Sequence, residues 1–251
     1  MKTVLITGCS TGFGREIALY FLERGYHVLA TMRNPSASTL PASDNLRVLP
    51  LDVTDAGSIA AAIAEAGPID VLVNNAGVGA FDALEGMSSE TIRRMFDTNL
   101  FGAIAMMQQV LPGMRARGSG VIVNVGSSII YMPVPLVAVY RASKAALTAL
   151  TESLVPELAP FGVRACVIAP GMAPSTAFAA SIHQEVGKNG GPHEAYAELA
   201  AQILAQLQAA GSGEITTERD VAEAVFRAAT DPACPTVLPA GPDAIAWSKQ
   251  R

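Results

Sequence analysis

Short unbroken apolar runs alternate along the chain with stretches whose apolar residues recur every three or four positions. That alternation predicts a doubly wound parallel sheet with helices on both faces. The first strand falls at 3–7 (Thr3-Val4-Leu5-Ile6-Thr7) and has no polar face, as expected of a strand covered on both sides. Phe13, Ile17, Tyr20 and Phe21 follow at helical spacing, and Arg24-Gly25 closes that helix. Further strands are predicted at 26–31, 46–51, 70–74, 121–125 and 163–168, with a short last one at 236–238, about seven in all. Helices are expected over 56–66, 89–114, 139–158, about 194–210, and from Thr217 to Ala229. Pro156 should bend or shorten the fourth of the strand-linking helices, because proline lacks the backbone donor. Thr217 with Asp220 has the spacing of a helix cap. Neither a repeat nor a dividing linker is visible, so the chain reads as one domain over 1–251, with a different kind of segment at about 172–213.

Composition narrows the class. Half of the 251 residues are hydrophobic and 16% are charged, the reverse of a disordered chain. The net charge of −5 argues against a nucleic-acid surface. The longest apolar run, 100–107, falls short of the ~20 residues that cross a bilayer, so no membrane partner is expected. The start of the chain passes from strand to Gly8 without the apolar core of a signal peptide. Cys9, Cys166 and Cys234 are scattered and odd in number, which suggests reduced thiols in a cytoplasmic protein rather than a disulfide frame. No histidine or cysteine spacing suggests a metal site.

The candidate chemistry begins after the first strand, in Thr7-Gly8-Cys9-Ser10-Thr11-Gly12-Phe13-Gly14. Such a cluster serves a turn needing positive φ; between a strand and a helix it also lets backbone approach a pyrophosphate at the positive helix end. Ser10 and Phe13 belong to that loop with Thr7 and the three glycines. The second strand ends Ala30-Thr31-Met32-Arg33-Asn34, where dinucleotide sites often carry an acid for the ribose. Arg33 is either a solvated surface arginine or the partner of a 2′-phosphate, which favours NADP(H) over NAD(H). Asp52 and Val53, after the third strand, would lie beside the adenine. Tyr140-Arg141-Ala142-Ser143-Lys144 puts a phenol and an ammonium on one helical face. That spacing is common by chance, yet a nearby lysine and an oxidised nicotinamide would lower the phenol's pKa toward a working base.

Together these motifs resemble the short-chain dehydrogenase/reductase family over nearly the whole chain, and the resemblance implies a Rossmann-type fold. Thr7, Gly8, Gly12 and Gly14 match the family's cofactor loop. Asn74-Asn75-Ala76-Gly77 matches the stretch that lies along the cofactor, through Asn75, Ala76 and Gly77. Asn99 falls where the active-site asparagine sits, and Ser127 matches the catalytic serine, with Ser128 as the fallback. Tyr140 and Lys144 match the tyrosine and lysine. Pro170-Gly171 matches the turn beside the nicotinamide, with Ser175 or Thr176 supplying a hydroxyl to its carboxamide.

The implied activity is hydride transfer between NADP(H) and a carbonyl or secondary alcohol. Tyr140 would move the proton, Ser127 would stabilise the substrate oxygen, Lys144 would hold the ribose and Asn99 would fix a relay water. The run from Pro170 to the hydroxyls is one residue longer than usual. The segments at 30–34, 217–222 and 240–244 (Ala-Gly-Pro-Asp-Ala) resemble a steroid- and retinol-dehydrogenase-like branch, which points to an apolar substrate. Its pocket would lie between the 172–213 segment, which the glycines near Asn189 suggest is a lid, and the wall at 129–137. Tyr131, Met132, Val134, Leu136, Met172 and Phe178 would line it, or pack a lid or a subunit contact. A homodimer or homotetramer is implied by the family. The alternative is a non-catalytic NADP(H)-binding redox sensor, which would usually lack the tyrosine or lysine.

Overall fold

The computed structural model describes residues 1–173, 193–210 and 214–250. Seven strands form one sheet among them: β1 (Thr3–Ile6), β2 (His27–Met32), β3 (Leu46–Pro50), β4 (Val71–Asn74), β5 (Gly120–Val125), β6 (Val163–Pro170) and β7 (Val237–Ala240). Their order is β3-β2-β1-β4-β5-β6-β7, and every neighbouring pair is parallel. This is the predicted Rossmann-type architecture. β6 runs two residues beyond the predicted end, and β7 is displaced by one at its start, because its pairing with β6 places Val237 opposite Val167 and Ala240 opposite Pro170.

Successive residues of β1 to β6 feed two separate cores, which is why those strands read as unbroken apolar runs. Val4, Ile6, Val28 and Ala30 pack on one face with Ile17 and Phe21 of α1 (Gly12–Leu22) and Val221 and Val225 of α7 (Glu218–Thr230). Leu5, Leu29 and Leu72 pack on the other with Ile59 of α2 (Ala56–Ala66) and Met106 and Met114 of α4 (Gly102–Arg117). The expected cap of α7 is present: Thr217 and Asp220 satisfy each other's backbone N–H groups.

The long helical stretch continues from α3 (Ser89–Phe96) into α4 but is not uniform. Residues Asp97–Phe101 form a π-helical segment, which shifts the phase of the residues that follow. α5 (Ala138–Leu158) carries Pro156 inside it, and the cut expected there does not occur. The donor that proline lacks would serve the carbonyl of Glu152, an exposed residue whose carbonyl water can satisfy. Two further helices, α6 (Ala197–Ala210) and α8 (Pro242–Ser248), complete the set among the described residues. No helix among them is long and apolar enough to cross a membrane.

Neighbours of β1 on its two sides are β2 and β4, so the strand order reverses there, and a crevice opens beyond the carboxyl ends of the strands. Every loop singled out from the sequence leaves the sheet at that edge.

Candidate active site

The loop after β1 is shaped by its glycines. Gly8 and Gly12 have positive φ, 74° and 57°. Gly14 has an ordinary backbone, but a Cβ there would fall on the Gly8 carbonyl, so α1 starts closer to the strand than any side chain permits. Thr7 Oγ1 accepts from the backbone N–H of Asn75 and of Ala76, both at 2.9 Å. Asn75 Nδ2 donates to the carbonyls of Thr7 (2.8 Å) and Gly8 (3.1 Å). Thr7 and Asn75 therefore rivet the glycine loop to the end of β4. The first turn of α1 contains no acid, and Thr11 at its N-cap makes no side-chain cap. That leaves positive N–H groups beside exposed Ser10, an arrangement suited to a pyrophosphate. Phe13 packs against the core beneath the loop.

Arg33 is exposed just past β2. Asp52 holds its own turn: its Oδ1 accepts from Thr54 N (2.9 Å) and Thr54 Oγ1 (2.7 Å). Those bonds, with a smaller attraction from Arg33, keep its carboxyl below the usual range. Val53 is buried against Gly102, where a Cβ would collide with it.

The chemistry of the site gathers on β5, the π-helical segment and α5. Asn99 is 1% exposed, and its side chain is fully committed. Its Oδ1 accepts from Val78 N at 2.8 Å, and its Nδ2 donates to Val78 O at 2.8 Å and Ser143 Oγ at 3.0 Å. It clamps the π-helical segment to the loop after β4 and to α5. Gly77, next to Val78, is closely approached: a Cβ there would lie 3.3 Å from Asn99 Oδ1 and 3.4 Å from Lys144 Nζ. Those two polar groups therefore flank one point of backbone.

Ser127 ends β5's turn, and its Oγ accepts from Ile129 N at 3.3 Å. Its hydroxyl also acts on the Tyr140 phenol, drawing its pKa down, whereas Ser128 is a side chain buried to 1%. Lys144, one helical turn from Tyr140, is 4% exposed and donates to the Val125 carbonyl at 2.9 Å. Burial pushes the Lys144 ammonium down to about 8. Burial likewise pushes the Tyr140 phenol up to about 12, with the Ser127 hydroxyl acting in the opposite direction. The expected lowering by Lys144 does not prevail in the protein alone, since a low-dielectric setting penalises the charged form of both groups.

Arg141, which no spacing in the sequence marks as functional, donates from Nε to the Ile129 carbonyl (3.0 Å) and from a terminal nitrogen to that of Ile130 (3.2 Å). It fastens the turn after Ser127 to the helix that carries Tyr140. The signal was its place inside the Tyr-to-Lys motif, although nothing in the motif shows which carbonyls it meets. Leu136, a proposed wall residue, is buried with a φ of 67° and packs with Phe81, Ala200 and Ile203. Pro170 closes β6, and Gly171 and Met172 follow it. Ser175, Thr176 and Phe178 lie outside the described residues, as does most of the 172–213 segment. No cluster of three metal-binding side chains occurs among the described residues.

A sequence profile of the short chain dehydrogenase family matches residues 2–187. Among curated relatives, the uncharacterized oxidoreductase YusZ of Bacillus subtilis is 34% identical over 240 residues, 91% of this chain and 85% of that protein. Human retinol dehydrogenase 8 is 40% identical over 181 residues, 68% of this chain but 58% of its own length. Among solved structures, a short-chain dehydrogenase from Streptomyces avermitilis superposes with a TM-score of 0.84 at 31% identity, covering 100% of this chain and 92% of that one. Serine dehydrogenase complexed with NADP+ gives 0.80 at 32%, covering 96% and 95%. The 3-ketoacyl-(acyl-carrier-protein) reductase of Brucella melitensis, complexed with NADH, gives 0.78 at 25%, covering 95% and 96%.

Proposed function

The chain belongs to the short chain dehydrogenase family, and from that membership we propose that it is an NADP(H)-dependent oxidoreductase interconverting a carbonyl and a secondary alcohol. The observation that carries this reading is Lys144, buried one turn along the helix from Tyr140 and held on the Val125 carbonyl, with the Ser127 hydroxyl close enough to draw the phenol's pKa down.

Tyr140 donates a proton to the substrate's carbonyl oxygen, or takes one from the alcohol. A phenol raised to about 12 is fully protonated at neutral pH, the form a carbonyl reduction needs. Ser127 hydrogen-bonds the same oxygen and stabilises the charge that develops on it. NADP(H), when bound, supplies or takes up the hydride. Lys144 holds the ribose hydroxyls of that cofactor and favours the phenolate. Asn99 keeps the π-helical segment in place next to Lys144, where a relay water would sit.

The residues present fit a dinucleotide. The N–H groups that open α1, framed by Gly8, Ser10, Gly12, Phe13 and Gly14, would receive the pyrophosphate, and the cradle admits no Cβ at Gly14. Arg33 would pair with the 2′-phosphate, and Asp52 and Val53 would edge the adenine. Asn75, Ala76 and Gly77 would run along the cofactor; Pro170 and Gly171, with Ser175 or Thr176, would border the nicotinamide. The substrate is apolar, a reading supported by Leu136 and its buried apolar neighbours. The 172–213 segment closes over it within a single 1–251 domain. Exposed Phe101 and half-buried Ile104 and Leu154 on the two long helices support a homodimer or homotetramer. A cytoplasmic setting accords with three free cysteines.

The test is titration of the protein with NADPH and NADH, followed by a panel of ketones, aldehydes and alcohols read by nucleotide absorbance. Preferential binding of NADPH with turnover supports the reading. Binding without turnover on any of them favours the sensor, and binding of neither nucleotide overturns both.

A further inference from the structure

The Ala-Gly-Pro-Asp-Ala stretch at 240–244 takes no part in the mechanism above, yet its aspartate reaches the edge of the site. Asp243 lies in the first turn of α8. Its Oδ2 accepts from the backbone N–H of Met172 at 2.6 Å, a contact between residues 71 apart in the chain. Its Oδ1 faces Thr216 Oγ1 at 2.5 Å. Thr216 is 2% exposed, and its Oγ1 in turn accepts from Gly171 N at 3.1 Å. The same hydroxyl lies 3.0 Å from the Ala240 carbonyl, so its one proton serves either that carbonyl or the carboxylate.

Two glycines record how tightly the arrangement is built. A Cβ on Gly171 would fall on the Asp243 carboxylate, and one on Gly241 would fall on the Thr216 hydroxyl. Gly171 N also donates to Ala240 O at 3.2 Å, which ties the turn to the end of β7. Consecutive N–H groups after Pro170 thus meet one carboxylate and one hydroxyl, the hydroxyl sharing the Gly171 N–H with the Ala240 carbonyl, and none of these belongs to the strand that carries the turn. Charge-assisted bonds of this kind are short and strongly directional.

We propose that Asp243 is a positioning residue for the nicotinamide end of the site, holding the Pro170–Met172 turn directly at Met172 and through Thr216 at Gly171. The inference rests on the dinucleotide reading for its consequence, while the clamp itself is independent of that reading. Released from Asp243, the turn moves off the position that meets the cofactor, and nucleotide affinity falls while the loop after β1 stays intact.

Variants D243A, D243N and T216V separate the possibilities. In D243N the amide oxygen still accepts from Met172 N, and its Nδ2 donates to Thr216 Oγ1, so most of the clamp survives. The readouts are amide hydrogen exchange of a peptide covering 168–173 without nucleotide, and the NADPH dissociation constant. We expect faster exchange at that peptide in D243A and T216V, and an NADPH affinity weakened about tenfold, the scale of one charge-assisted hydrogen bond. D243N should stay within about threefold of the parent on the same scale. Should D243A fail to fold, the contrast between T216V and D243N decides the same question. Unchanged exchange in the substituted proteins, or equal impairment of D243N and D243A, overturns the inference. If exchange rises but the parent protein binds neither nucleotide, the clamp stands as structure, and both its proposed role and the cofactor reading fall.

Discussion

Lys144 donates from its buried ammonium to the carbonyl of Val125 at 2.9 Å, tying the N-terminal part of α5 to the last residue of β5. Ser127 follows two residues later, so this bond sets the distance between the serine's strand and the tyrosine's helix. The ammonium makes it at a cost that depends on pH. Its folded pKa of about 8 lies below the 10.5 of a free lysine. Between those values the unfolded chain keeps a proton that the folded protein has released, so stability rises with pH through that window. Tyr140 acts in the opposite sense at higher pH, since its value of about 12 exceeds 10.0, and its contribution is lost between them. Urea unfolding of the parent and Lys144→Met at about pH 7.5 and about pH 9.5 checks the first effect. The parent should gain on the variant at the higher pH; a constant difference would contradict it.

Arg33 is exposed at the end of β2 and free of the acid that a ribose-binding strand end often carries. Arg33→Ala should raise the KM for NADPH by about 10- to 100-fold, as loss of a charge-assisted phosphate contact would. The KM for NADH should change little. Equal effects on both nucleotides would remove the 2′-phosphate from the account.

Asn99 satisfies both backbone groups of Val78. Asn99→Ala leaves the N–H and the carbonyl of half-buried Val78 without that partner, and it should cost about 1–3 kcal/mol of stability in denaturant unfolding. Asn99→Asp should be nearly as costly, because it sets an acceptor against the Val78 carbonyl. A loss below about 0.5 kcal/mol in the alanine variant would show that the clamp contributes little.

What the sequence made legible follows a physical divide. Strands covered on both faces advertise themselves as apolar runs, and β1 to β6 were recognisable because Val4, Leu5 and Ile6, like their counterparts on the next five strands, feed cores on opposite sides. Tyr140, Lys144 and the Gly8–Gly14 loop were legible because their chemistry needs fixed spacings on one helix or one turn. The π-helical segment at Asn99 was not, since a one-residue slip in hydrogen bonding leaves the apolar pattern almost unchanged. Arg141 on the Ile129 and Ile130 carbonyls and Asp243 on Met172 were invisible for another reason. Both act on backbone groups, which every residue has. Pro156 did not shorten its helix, because the penalty for a missing donor depends on whether water reaches the orphaned carbonyl.

The central claim is that Tyr140 moves the proton while the nucleotide site stands independently of it. Tyr140→Phe removes one oxygen from a half-buried ring and leaves the glycine loop, Arg33 and Lys144 in place. Its NADPH dissociation constant and its turnover on the best carbonyl substrate, measured side by side with the parent, give the most direct test. The account requires binding within a few-fold of the parent and turnover lower by about 100-fold or more, the scale of a lost general acid. Turnover retained at the parent's level with binding unchanged would contradict it.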